Sequence, residues 1–169
     1  MNARIRLATT EDLPAISDIY NYYVLHSTCT YQLEPERLED RRRWFEARTP
    51  LHPVVVAANE DGVVGWGSLS PWNPRAGYAK TVEFSVYVRQ DDHRKGIGRL
   101  IVVDLINRAR DLGHHVILGG ASADQIASIA LQESLGFERV ACLKQVGRKF
   151  GRWLDVVYMQ RILGDESPS

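Results

Sequence analysis

Residues 81 to 112 carry three signals in an order that few folds accept. TVEFSVYV (81–88) is a run of strong β-formers. A polar loop follows, ending in DDHRKGIGRL (91–100). Ile97, Leu100, Ile101, Leu105 and Ile106 then recur at helical spacing up to Gly113, a helix terminator. A strand therefore delivers the chain through glycines into a helix N-terminus. The first N–H groups of a helix lack internal acceptors, and the aligned peptide dipoles favour negative charge there. Gly96 and Gly98 allow close approach to an anion, and Arg94, Lys95 and Arg99 add positive charge. Each helix end contributes about 0.3–1 kcal/mol for an exposed anion, so several N–H groups together can hold a diphosphate. Alternatively, the glycines only shape a tight strand-to-helix turn. The nucleoside triphosphate motif G-x-x-x-x-G-K-[ST] is absent, and Ile101 stands where a dinucleotide fingerprint needs its third glycine.

The flanking sequence predicts the rest of the fold. Arg4 to Ala8 alternates as a strand. Thr10 is a candidate N-cap for a helix carrying Leu13, Ile16, Ile19, Tyr20 and Tyr23. A second helix is predicted from Pro35 to about Arg48, with EDRRRW as a solvated face. VVVAAN (54–59) and VVGWGSLSPW (63–72) flank Glu60-Asp61-Gly62, a hairpin signal. HVILGG (115–120) is nearly all apolar, as in a sheet covered on both faces. Gln125 to Leu135 reads as a helix. Arg139 to Lys144 and Trp153 to Arg161 read as strands around a basic loop. The order β-α-α-β-β-β-α-β-α-β-β implies an α/β class of mixed α+β character, built on one twisted sheet. No linker is visible. A single domain over 1–163 with a disordered tail, 164–169, is expected.

Charge and cysteine content narrow the function. Lys plus Arg equals Asp plus Glu, at 21 each. That balance argues against a general nucleic-acid or anionic-membrane binder. Cys29 and Cys142 lie far apart in sequence and read as buried free thiols in a reducing cytosol. The N-terminus has no apolar signal-peptide core, and no apolar run approaches the roughly 18 residues of a membrane span. The five histidines form no ligand cluster, so no metal is expected.

The segment Val88-RQDD-His93-Arg94-Lys95-Gly96-Ile97-Gly98 resembles the acyl-coenzyme-A signature of the GNAT N-acetyltransferase superfamily. TVEFSVYV, SLGF (134–137), VGRKFGRWLDVVYMQ (146–160), IYNYYV and WFEART are similar to its phosphinothricin (bialaphos-resistance) and methionine sulfone acetyltransferase group. The resemblance implies a GNAT fold: a splayed mixed sheet of about seven strands flanked by about four helices. It places a β-bulge in the fourth strand and the pantetheine arm in the resulting gap. Acetyl-CoA would lie along Val86, Tyr87 and Val88. Its diphosphate would meet His93, Arg94, Lys95, Gly96, Ile97, Gly98 and Arg99, with Gln125 and Ser128 beside it. Glu83 matches the strand glutamate proposed as general base, acting through water. From alternation alone, Glu83 simply falls on the polar face of its strand.

Several positions depart from that group. His93 replaces Gln or Arg, Gln125 replaces Asn, and Gln132 replaces a His or Tyr thought to protonate the leaving thiolate. A glutamine donates hydrogen bonds but cannot give up a proton. A non-catalytic acyl-coenzyme-A binder is therefore a second reading. On the acceptor side, Tyr78-Ala79-Lys80 stands where relatives have Phe-Arg. Lys80 is a candidate carboxylate anchor, with Tyr31, Tyr78 and Phe84 as pocket candidates; an aromatic such as Tyr31 serves equally as core. The implied acceptor is a small amine or amino acid, with peptide N-termini or polyamines as an alternative. The basic loop is either solvated or lines the acceptor mouth and the seam of a homodimer. No nucleic-acid or membrane partner is expected.

Overall fold

The computed structural model describes residues 2 to 164, so all of the predicted tail except Gly164 lies outside the described residues. Seven strands form one sheet in the order β1-β2-β3-β4-β5-β7-β6. The strands are β1 (Arg4–Leu7), β2 (Val54–Asn59), β3 (Gly62–Pro71), β4 (Thr81–Val88), β5 (Val116–Ser122), β6 (Glu138–Lys149) and β7 (Arg152–Ile162). Only β4 and β5 pair in parallel; the other pairs are antiparallel. The helices are α1 (Leu13–His26), α2 (Leu38–Glu46), α3 (Ile97–Asp111) and α4 (Ile126–Ser134).

The alternation of β4 explains the layering. Val82 and Phe84 join Ile101, Leu105, Ile117, Ile129 and Met159 in a core under α3 and α4. Tyr87 turns the other way and packs with Leu13, Ile16, Ile19, Tyr23 and Trp66 under α1 and α2. Each large side chain fully buried in these layers contributes about 1.5–3 kcal/mol. Glu83 and Ser85 share the face of Tyr87, so the catalytic candidate lies on the α1–α2 side.

The sheet opens at its centre. β4 and β5 pair over Thr81↔Val116, Val82↔Ile117 and Glu83↔Leu118, and then part. β5 continues against β7 as far as Ser122↔Val156. The expected bulge in β4 is not found: its register against β3 runs unbroken from Val82 to Val88. Separation instead begins where two glycines follow Leu118. The Phe84 ring and the Gln132 amide occupy the space that a side chain at Gly119 would take.

Local expectations are corrected in five places. The first helical turn is a 3-10 segment, Thr10–Asp12, preceded by Thr9 rather than capped by Thr10; the Asp12 carboxylate accepts the Thr9 N–H at 2.8 Å. α2 begins at Leu38, because Asp40 accepts the Arg37 N–H (3.1 Å) and Asn21 accepts the Glu36 N–H (2.9 Å), fixing the preceding segment as extended chain. Its basic run is not wholly solvated: Arg41 is 4% exposed. The basic loop is mostly strand. β6 continues to Lys149 through a register shift between Leu143 and Gly147, and only Phe150–Gly151 turns the chain into β7. Finally, Cys142 is exposed on the edge strand, and Cys29 is half-buried; both are free thiols.

Lys149 joins the sheet to α1. Its buried ammonium donates to the carbonyls of Ser27 (2.6 Å), Thr30 (2.8 Å) and Tyr23 (3.4 Å). A cation at a helix C-terminus complements the dipole there, and this one satisfies the Ser27 and Thr30 carbonyls just beyond α1 while sharing the Tyr23 carbonyl with the Ser27 N–H.

Candidate active site

The parting of β4 and β5 leaves one side of β4 without a neighbour. Arg89 N–H donates to Val64 and Trp72 N–H donates to Thr81, so the odd-numbered backbone groups of β4 address β3. Those of Val86 therefore face the gap, beside the Val88 carbonyl, which the Tyr23 hydroxyl occupies. Such an edge accepts an extended chain bearing amides.

A cavity of about 210 Å³ fills the gap, lined by Glu83, Phe84, Ser85, Gly120, Ala121 and Gln132 among others. A second, of about 530 Å³, runs along Val88 to His93, Arg94, Gly96, Gly98 and Arg99. The two share Cys29, Val86, Tyr87, Gln125 and Ser128, and so form one cleft. At its outer end, Arg94 and Gly96 adopt positive φ, 63° and 78°, and α3 starts at Ile97. The first bond into α3 runs from Leu100 N–H to Gly96 at 3.1 Å. Among the described residues, no acceptor is found for the N–H groups of residues 94 to 99. The loop is thus a row of unpaired donors at a helix start, suited to a diphosphate.

The side chains around it are partly committed. Lys95 pairs with buried Asp92 at 2.8 Å, and Arg89 holds the same carboxylate at 2.5 Å. Arg99 donates to Ser134 at 3.0 Å. His93 Nε2 lies 2.5 Å from the Tyr23 hydroxyl, which also donates to the Val88 carbonyl. Burial raises the Tyr23 phenol far above its ordinary value, so it stays protonated. Gln125 Nε2 donates to Thr28 at 2.9 Å, tying the start of α4 to the segment after α1.

At the inner end, Glu83 makes no side-chain hydrogen bond among the described residues, and burial raises its carboxyl above the usual range. One Glu83 oxygen lies 3.2 Å from the place a Cβ on Gly120 would take; the Tyr158 ring is 3.4 Å from the same point. Glycine thus lets the carboxylate reach the cleft beside Tyr158. Sequence reasoning missed Tyr158, and its pairing opposite Gly120 is the signal that could have found it. Its phenol is raised by burial and then by Glu83. Gln132 is 2% exposed, and its Oε1 is buried without a partner against Gly119.

The acceptor candidates scatter. Phe84 lines the gap but packs on Phe137 in the α3–α4 core. Tyr31 donates to Ser122 (2.9 Å) and to the Asp155 carbonyl (3.2 Å), with its ring over Gly147. Tyr78 is exposed and stands edge-on to Trp72, while Lys80 donates to the Gly113 carbonyl at 3.4 Å; neither lines the cleft. Among the described residues, no three His, Cys, Asp or Glu side chains gather as a metal would need.

A sheet opened beside a free strand edge, leading to unpaired amides at a helix start, suits a long carrier with amides along its arm and phosphates at its end. Residues 5–158 match the model of the acetyltransferase (GNAT) domain. The chain belongs to the GNAT family, as an N-acetyltransferase. It is 44% identical over 162 residues to an L-methionine sulfoximine/L-methionine sulfone acetyltransferase of Pseudomonas paraeruginosa, covering 95% of this chain and 94% of that one. A crystal structure of a GNAT superfamily phosphinothricin acetyltransferase from Sinorhizobium meliloti, in complex with acetyl-CoA, superposes with a TM-score of 0.94 at 35% identity, covering 100% of this chain and 92% of that one. That of a ribosomal-protein-alanine N-acetyltransferase from Brucella melitensis gives 0.92 at 44% identity, covering 94% and 99%. The free edge of β4 and the unpaired amides after it fit acetyl-CoA as co-substrate.

Proposed function

We propose that the protein transfers an acetyl group from acetyl-CoA to the amine of a small amino acid or analogue of the phosphinothricin or methionine sulfone type. Transfer is direct, with both substrates bound. The observation that carries this reading is the unpartnered Glu83 carboxylate at the inner end of the opening. An amine is mostly protonated at neutral pH, so a base must take its proton before nitrogen attacks the thioester carbonyl. Glu83 takes it through a water. Gln132 cannot supply a proton to the departing sulfur. A thiolate with a pKa near about 8.5 leaves without one. The edge at Val86 and Val88 holds the arm, and the amides of 94–99 hold the diphosphate, with His93 and Arg94 alongside.

The names of two relatives support the amino-acid acceptor. A second reading, a peptide N-terminus, is favoured by the alanine acetyltransferase likeness. Thiol release from acetyl-CoA separates them, measured with amino acids, methionine sulfone, phosphinothricin and alanyl peptides. Turnover confined to peptides selects the second reading. We further propose a cytoplasmic homodimer. Val146, Phe150 and Trp153, all exposed on β6, β7 and their turn, support a seam there.

A further inference from the structure

The α1–α2 face of the sheet holds a separate cavity of about 230 Å³. Cross-strand pairs place it beside the base. Glu83 lies opposite Ser70, Ser85 opposite Ser68, and Tyr87 opposite Trp66, all on one face. Ser68, Ser70 and Ser85 form the cavity floor. Two residues along a strand span about 7 Å. The cavity therefore begins one pleat from Glu83.

Its charge does not cancel. Arg41 lines the wall, with its guanidinium carbon 4.4 Å from the Trp44 ring centre, 4.7 Å from Tyr20 and 4.9 Å from Trp66. Arg41 Nε donates to Glu36 at 2.5 Å. Its terminal nitrogens have no acceptor among the described residues. Arg48 stacks on the same Trp44 ring at 4.5 Å and donates to Ser70 at 3.1 Å, to His52 at 3.0 Å and to the Leu69 carbonyl. No carboxylate pairs with Arg48 among the described residues, and burial lowers its pKa to about 10. Arg41 and Glu36 thus share the cavity wall, and Arg48 stands behind it, a second guanidinium with no carboxylate of its own. Trp66, 2% exposed, also lines the cavity, and its indole N–H is buried without an acceptor. Leaving that one buried donor unpaired is costly, and a ligand oxygen within its reach removes the cost.

We propose that this cavity seats the oxygens of a tetrahedral oxyanion at the end of the acceptor's side chain, and so sets acceptor specificity. Distance selects the side-chain group over the α-carboxylate. The α-carboxylate lies within about 3.5 Å of the amine, whereas a group two methylenes beyond the α-carbon reaches about 5–6 Å when extended. Only the latter spans from an amine at Glu83 to the cavity. A phosphinate is such a group. The inference rests on the amino-acid acetyltransferase reading above.

The test compares phosphinothricin with norleucine, an amino acid lacking those oxygens. Arg41→Lys keeps the charge but loses the planar fork. It is expected to lower kcat/KM for phosphinothricin about 10- to 100-fold, mostly through KM, leaving norleucine and acetyl-CoA within about twofold. Trp66→Phe removes the unpaired donor and is expected to shift selectivity the same way. It serves as the deciding variant if Arg41→Lys fails to fold. Equal losses on both acceptors, or no loss on phosphinothricin, overturn the inference. Wild-type turnover of norleucine without phosphinothricin overturns it too, while leaving the acetyltransferase reading intact. Absence of thiol release with every amine defeats that reading itself.

Discussion

Glu83 and Leu118 are the last residues at which β4 and β5 face one another as partners. Beyond them the strands separate, and the Glu83 carboxylate stands at the inner end of the cleft. Glu83→Gln is expected to lower kcat about 10²- to 10⁴-fold, with KM for acetyl-CoA little changed. Burial raises the wild-type carboxyl, and a carboxyl group acts as a base only when ionised. Activity should therefore rise with pH through a value above the ordinary glutamate pKa of about 4.3, and the variant should lack that limb. Steady-state rates across pH check both points; full activity in the variant would remove Glu83 from the chemistry.

Gly119 gives the opening its room. An added methyl would collide with the Gln132 amide and come 2.5 Å from the Phe84 ring. Gly119→Ala should cost about 1–3 kcal/mol, and Gln132→Ala in the same chain should recover part of it. Denaturant melts of the single and double variants measure this coupling.

Gly96 holds a left-handed conformation at the start of α3, with open space around it. A β-branched residue there is strained by backbone geometry rather than by contact. Gly96→Val should raise the Kd for acetyl-CoA about tenfold, as read by calorimetry, while leaving the thermal midpoint within a few degrees.

How much of this was legible in the sequence depended on where each segment lies. β4, its glycine loop and α3 were readable because periodicity, propensity and turn chemistry agree there. β6 from Lys144 onward was not. It is the outer strand, exposed along most of its length, so no alternating pattern survives, and its pairing with β7 supplies the order. Arg41 was hidden for a different reason. Its burial comes from rings on α1, α2 and β3, whose convergence no local window shows. Arg41, Trp44, Phe45 and Arg48 do fall at helical spacing, which was the one available hint. The bulge expected from resemblance was replaced by two glycines and a bulky neighbour, which open the same gap by packing.

Lys149 is expected to matter for stability rather than for turnover. Lys149→Met leaves the Ser27 and Thr30 carbonyls beyond α1 without this donor, while Tyr23 keeps the Ser27 N–H, and should cost about 1–3 kcal/mol. A chemical melt with unchanged kcat would bear this out; lost activity at full stability would contradict it.

Asp12 carries an acid-sensitive share of stability. The Arg6 hydrogen bond, more than any other favourable contact, lowers its carboxyl below 3.8. The folded value lies below the unfolded one, so the contribution is present above that pH and is lost as pH falls through the folded value. Asp12→Asn should cost about 1 kcal/mol at neutral pH, and the two proteins should converge once pH falls below the folded value. Melts across that range read the convergence.

The three-residue seam between β4 and β5 divides the sheet into two wings, one of four strands and one of three. Little backbone bonding spans that seam, so an amide-bearing arm seated along β4 would act as a further rung between the wings, and binding it should raise the thermal midpoint of the whole sheet.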